Sequence, residues 1–118
     1  MKKVVVVCIV SLAISLISFS QSEFETAMLV NIDSLHQSFG TGRMLGHVNT
    51  FERFSQVDTN RWEPLYYAAY GYCVLSLNEK DDSKKDVLCD RGQELLKKAL
   101  VKSPNESELY VLQGFLYN

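Results

Sequence analysis

Apolar residues recur along this chain at helical spacing, in periods separated by short polar stops. Phe24, Met28, Ile32, Leu35 and Phe39 follow one another at intervals of four, four, three and four residues. That spacing predicts one apolar stripe on a helix from about Ser22 to Phe39. Gly40-Thr41-Gly42 stops it, because glycine readily takes the positive φ that ends helices. Met44, Val48, Phe51 and Phe54 or Ser55 open a second period that closes near Val57. Asp58-Thr59-Asn60 has turn chemistry and can cap the next helix. Pro64 then falls in the first turn of that third helix, where its missing N–H costs nothing. Trp62, Leu65, Ala69, Cys73 and Leu77 are its expected inward face. The polar run Asn78 to Asp86 reads as a helix end, a tight connection and a helix start. Val87, Leu88, Leu95, Leu96, Ala99 and Leu100 mark the fourth helix, which Ser103-Pro104-Asn105 breaks. Glu106 and Glu108 suit the positive end of a fifth helix, whose apolar side is Leu109, Leu112, Phe115 and Leu116. No stretch alternates with period two for long enough to predict a strand. The pattern is all-α.

The first twenty residues obey a different rule. Lys2 and Lys3 precede an apolar run from Val4 to Ile17, and Ser18-Phe19-Ser20 places small residues before Gln21. This is the three-part layout of an export signal, with cleavage expected between Ser20 and Gln21. The run is shorter than the roughly 20 apolar residues a membrane-spanning helix needs; a retained anchor is the alternative. Cys8 lies too early in the run for it to serve as a lipid-attachment signal. The expected organisation is a signal peptide over 1–20 and one helical domain over 21–118. The chain is then exported, to a periplasm or outside the cell, with no stable membrane span after cleavage.

Charge narrows the partners. Without Lys2 and Lys3 the remaining 98 of 118 residues carry 10 basic and 14 acidic side chains, a net charge of −4. No basic stripe is left to neutralise phosphates, so nucleic acid is not an expected partner. A chain of this size buries a modest core. Its two prolines and its richness in Leu, Ala and aromatics suit packed helices.

Candidate chemistry is sparse. His36 and His47, the only histidines, do not share the i, i+4 spacing of a helical metal pair and fall in different helices. No nucleophile elbow, zinc-protease motif or P-loop is present, and Gly40-Thr41-Gly42 is too short to cradle phosphate. Glu23, Glu25 and Asp33 read as a solvated helix face. Asn105-Glu106-Ser107 matches a glycosylation sequon, but the turn already accounts for Asn105. Neither a catalytic residue, a metal nor a cofactor is expected. Cys73 and Cys89 lie equally far from residue 81, inside the polar connection. In an antiparallel hairpin such positions face each other, so the pair is a candidate disulfide in an exported chain; two buried thiols are the other reading. Trp62, Tyr66, Tyr67, Tyr70 and Tyr72 crowd the third helix beyond what one inward stripe holds. They read as core with hydroxyls reaching water, or, for Trp62, Tyr66, Tyr67 and Tyr70, as a partner-binding surface.

Two stretches match when the sequence is slid by 45 residues. Phe51-Glu52-Arg53-Phe54 falls on Leu96-Lys97-Lys98-Ala99, Thr59-Asn60 on Pro104-Asn105, and Leu65, Ala69 and Tyr72 on Tyr110, Gly114 and Tyr117. Repetition of this kind marks helical solenoids. Gly92, Leu96, Ala99, Pro104, Tyr110, Gly114 and Tyr117 fall at the spacings of the tetratricopeptide signature, which this segment resembles. The upstream copy departs from it, with His47 at the small position, Phe54 at the alanine and Thr59 at the turn proline. The usual period is about 34 residues; the extra residues here lie around Leu75 to Asp86. The layout is also similar to secreted tetratricopeptide-repeat proteins of the Bacteroidota. The shared features are the Ser/Gln junction, Phe51-Glu52-Arg53, Trp62-x-Pro64 with Tyr66-Tyr67-Ala68-Ala69, and Ser103-Pro104-Asn105-x-Ser107-Glu108 before Val111-Leu112-Gln113.

The resemblance implies a short right-handed solenoid of stacked antiparallel hairpins, the last incomplete. It further implies a non-catalytic protein-interaction or scaffold module of the cell envelope, binding a protein or peptide. Two alternatives arise from the last helix, which has no later helix to cover Leu109, Leu112, Phe115 and Leu116: a homodimer formed through it, or a truncated piece of a longer repeat protein.

Overall fold

The computed structural model describes residues 21–117. The expected signal peptide and the Ser20 side of its cleavage site lie outside the described residues. The chain divides into two compact units, 1–30 and 31–118. In the first, the described residues are helical from Gln21 on, and the Thr26 hydroxyl donates to the Ser22 carbonyl at 2.9 Å.

The second unit holds the rest. A helix α1 covers 21–37, its last turns in this unit, followed by α2 (Met44–Val57), α3 (Glu63–Asn78), α4 (Asp82–Lys102) and α5 (Ser107–Leu116). No strand occurs among the described residues. Gly40, at φ 74°, makes the turn after α1. Asp58 accepts the Asn60 N–H at 3.1 Å in the turn before α3. Pro64 sits in α3's first turn. Asp81 caps α4 by accepting the backbone N–H groups of Ser83 and Lys84, at 3.0 and 3.2 Å. The Asp81 cap satisfies two helix-end donors that would otherwise have no partner.

Short connections make neighbouring helices antiparallel, and α2 packs on α3, α3 on α4, and α4 on α5, with α3 also touching α5. The core is built from Leu35, Met44, Val48, Phe51, Leu65, Ala68, Ala69, Leu95, Leu96, Ala99, Leu109 and Leu112. Small residues set the closest approaches. A Cβ on Gly71 would lie 2.3 Å from Val48 Cγ2, and one on Gly92 would lie 3.0 Å from a Leu116 methyl and 3.4 Å from the Ala69 carbonyl oxygen.

Three sequence expectations are corrected. Asp58-Thr59-Asn60, expected to cap α3, does not: the residue at that helix's N-cap is Trp62, with no side-chain cap. Leu77, placed on α3's inward face, is 67% exposed. Helix α3 is buried from several sides, through Ala68, Gly71, Tyr72 and Ser76 as well as Leu65, Ala69 and Cys73, so no single stripe describes it. Leu77 and Val87 flank the tip of the α3–α4 hairpin. The third correction concerns α5: Leu109, Leu112 and Leu116 are buried, whereas Phe115 is 67% exposed. The uncovered side of α5 is therefore Tyr110, Val111, Phe115 and Tyr117, not the leucines.

Candidate functional site: an aromatic row on α3

The tyrosines of α3 join into one row of ring contacts. Pro64 starts the helix and a four-residue repeat then aligns Trp62, Tyr66 and Tyr70. Trp62 meets Tyr66 edge-on at 5.8 Å between centroids, and Tyr66 lies nearly parallel to Tyr70 at 6.3 Å. Tyr67 turns toward α2, stacking on buried Phe51 at 5.2 Å and touching Tyr66 edge-on at 5.1 Å. All four residues proposed from sequence as a binding surface are thus half-buried and brought together. Two further rings extend the row. Phe39 and His36, at the end of α1, reach Tyr70 at 6.1 and 6.3 Å. Helical periodicity assigns Phe39 to the core stripe; the Gly40 turn instead leaves it partly exposed beside Tyr70.

The phenols of Tyr66 and Tyr67 are held above their ordinary range, first by burial. For Tyr66 the neighbouring tyrosines and Glu108 add to this, and for Tyr67 Glu63, Glu108 and Tyr70 do. They remain neutral donors at physiological pH. A row of neutral, half-exposed tyrosines offers ring faces and O–H groups together, the chemistry of a protein-contact surface.

Tyr72 plays another part. It is buried and donates to Glu52 Oε1 at 2.7 Å. Arg91 donates to the other oxygen of Glu52 and, at 2.7 Å, to Glu94. One carboxylate thereby clasps α2, α3 and α4, a pairing of Glu52 with Arg91 that sequence reading missed because the two lie 39 residues apart. Burial, then the Glu52 carboxylate accepting its proton, pushes the Tyr72 phenol up to about 12 from 10.0. The folded state therefore holds this proton more tightly than the unfolded chain. The stabilisation is fully present below pH 10 and is lost as pH rises through about 12. Urea-unfolding midpoints measured across that window fall more steeply for the wild type than for Tyr72→Phe; equal slopes would place the loss elsewhere.

The remaining candidates separate. His47 Nδ1 lies 3.2 Å from Asn31 Oδ1, and Asn31 Nδ2 donates to the His47 carbonyl at 3.2 Å, so His47 fastens α1 to α2. His36 belongs to the ring row. No group of three or more His, Cys, Asp or Glu side chains among the described residues is arranged to hold a metal. Cys73 is buried and Cys89 half-buried, both as thiols; burial, then the proximity of Cys89, pushes the Cys73 thiol up. Of the repeat signature, Gly92, Leu96 and Ala99 are buried on α4, while Pro104 and Gly114 are exposed. Tyr110 is also exposed, its hydroxyl donating to the Pro104 carbonyl at 2.6 Å. No helix of the described residues is long and apolar enough to cross a membrane.

A concavity of about 480 Å³ runs between α2 and α4 and includes Glu52, Gln56, Leu65, Leu95, Lys98 and Lys102. Sequence reading left it out. Its trace was the spacing of Arg91, Lys98 and Lys102, which puts three cations on one face of α4. Comparisons with known family profiles, curated proteins and solved structures find no match.

Proposed function

We propose that this chain is a non-catalytic protein-interaction module of tetratricopeptide type, exported to the cell envelope or beyond, that holds a protein or peptide segment against the aromatic row of α3. The observation that carries this reading is the row itself. Six rings, from Trp62 through Tyr66, Tyr67 and Tyr70 to Phe39 and His36, form continuous contacts yet stay open to solvent on one side. Aromatic side chains presented this way bind partners at little entropic cost. Support for the repeat type comes from Ala69 and Gly92, two of its small positions: a Cβ on Gly92 would lie 3.4 Å from the Ala69 carbonyl oxygen.

The test is retention from an envelope extract of the source cell by immobilised wild-type protein and by Tyr66→Ser/Tyr70→Ser. A partner held by the wild type and lost by the variant supports the reading. Identical sets of bound proteins, or no bound protein together with turnover in a substrate screen, defeat it.

In an exported chain, Cys73 and Cys89 are expected to bridge on oxidation, closing a loop of roughly 15 residues worth about 3 kcal/mol. Intact mass under non-reducing conditions reads this as the loss of a hydrogen pair. Two alkylatable thiols after oxidative refolding exclude it.

A second reading is self-association through α5. Leu65, Ala69 and Tyr72 are buried, yet their repeat counterparts Tyr110, Gly114 and Tyr117 are exposed, and a Cβ on Gly114 would meet nothing within 4 Å. A second copy laid on this face gives a dimer that Phe115→Lys dissociates. Light scattering that finds only monomer at high concentration excludes that reading.

A further inference from the structure

The groove between α2 and α4 has a composition of its own. Leu65 and Leu95, nearly inaccessible to solvent, make its floor, and Val101 stands 85% exposed at its mouth. The α2 wall is neutral, with Ser55 and Gln56, apart from Glu52 at one end. The α4 wall is cationic, with Arg91, Lys98 and Lys102.

The charges are not equally engaged. Glu52 and Glu94 both pair with Arg91, so that end is closed. Among the described residues Lys98 pairs with the half-exposed Glu94 one turn away, at 2.9 Å. Lys102 reaches across to the carbonyl of Thr59, a neutral acceptor. No carboxylate among the described residues pairs with Lys102, and it lies beside Val101, which is 85% exposed. Apolar floor and unmatched positive charge thus sit together at one end of a trough. From Arg91 to Lys102 the wall is about 16 Å long at the helical rise per residue, enough for about five residues of extended chain.

We infer that this groove is a second binding site, and that it takes an extended acidic segment of another protein. Its carboxylates lie at Lys98 and Lys102, and an apolar side chain is seated over Leu95 and Val101. Charge complementarity selects this occupant, since a basic or neutral segment would leave Lys102 unmatched while covering it. The site is independent of the aromatic row, with which it shares no residue.

Fluorescence anisotropy with labelled synthetic peptides tests this. The probes are pentapeptides of equal apolar content carrying Glu, Gln or Lys at two polar positions. The Glu peptide is expected to bind, more weakly in high salt, and the Gln and Lys peptides to bind at least about tenfold less well. Lys98→Glu/Lys102→Glu, at positions exposed enough to leave folding intact, should lower Glu-peptide affinity by about tenfold or more. Val101→Ser should weaken it too. Lys97→Glu, an exposed charge change outside the groove, and Tyr66→Ser/Tyr70→Ser should not. Loss in the tyrosine variant alone would move the peptide to the aromatic row and overturn the groove. Equal binding of Glu and Lys peptides, or equal loss in Lys97→Glu, would overturn it as well. Anionic phospholipid vesicles competing with the peptide and losing binding in the same variants would make the surface a membrane contact and end the proposal.

Discussion

Replacing Gly71 with alanine lowers stability by about 3 kcal/mol, the upper part of the range for overpacked cores. The new Cβ would stand 2.3 Å from Val48 Cγ2 and 3.4 Å from Val48 Cβ. Val48 is completely buried on α2 and branched at Cβ, so its side chain has few rotamers into which it can retreat. The two helices must separate instead, which loosens Met44 and Phe51 on the same face of α2. The gain in helix propensity on leaving glycine, at most about 1 kcal/mol, offsets only part of this. Urea unfolding read by far-ultraviolet circular dichroism measures the loss. The double variant Gly71→Ala/Val48→Ala should recover part of it, because removing the two methyl groups makes room for one. If the double variant is less stable than Gly71→Ala by the full cost of Val48→Ala alone, the close approach is not what glycine is for. Gly92→Ala makes a useful contrast. Its nearest neighbour is the far end of the Leu116 side chain, which is unbranched at Cβ, at 3.0 Å, so a smaller loss is expected.

That pair of glycines also shows what the sequence could and could not convey. Gly92 stood out through the repeat, since its position in the signature calls for a small residue. Gly71 matched no motif, and only the packed helices show that it is the tighter of the two. The helices were legible because their stops are local: Gly40, Asp58-Thr59-Asn60, Ser103-Pro104-Asn105. The facing of α3 was not, because a helix buried on several sides has no single stripe. Periodicity there assigned Leu77 inward and left out Ala68 and Gly71. The tyrosines were legible as a surplus over one stripe, but their junction with Phe39 and His36 depends on how the Gly40 turn aims the end of α1. Glu52 with Arg91 was invisible for a related reason. Each is an ordinary helix-surface charge until α2 and α4 both pack on α3.

Phe51→Ala is expected to cost about 3–5 kcal/mol, the range for emptying a buried phenylalanine site. Phe51 is fully inaccessible to solvent, meets Phe54 edge-on at 6.2 Å and lies under Tyr67. Its loss removes apolar burial and at the same time the support beneath one ring of the proposed binding row. Tyr66 and Tyr70 differ, being half-buried with one side in water, so Tyr66→Ser/Tyr70→Ser should cost well below that range while removing partner binding. The two variants therefore separate a folding role on α2 from a recognition role on α3. Unfolding midpoints and partner retention must be measured together, on protein shown to be folded at the assay temperature. Phe51→Leu refills most of the volume and should return most of the stability, yet it gives Tyr67 no flat ring to lie on. If partner retention survives Phe51→Leu unchanged, then Tyr67 contributes to the row by position alone. If retention falls while the fold holds, the stacking of Tyr67 on Phe51 is itself part of how the surface is kept ready for its partner.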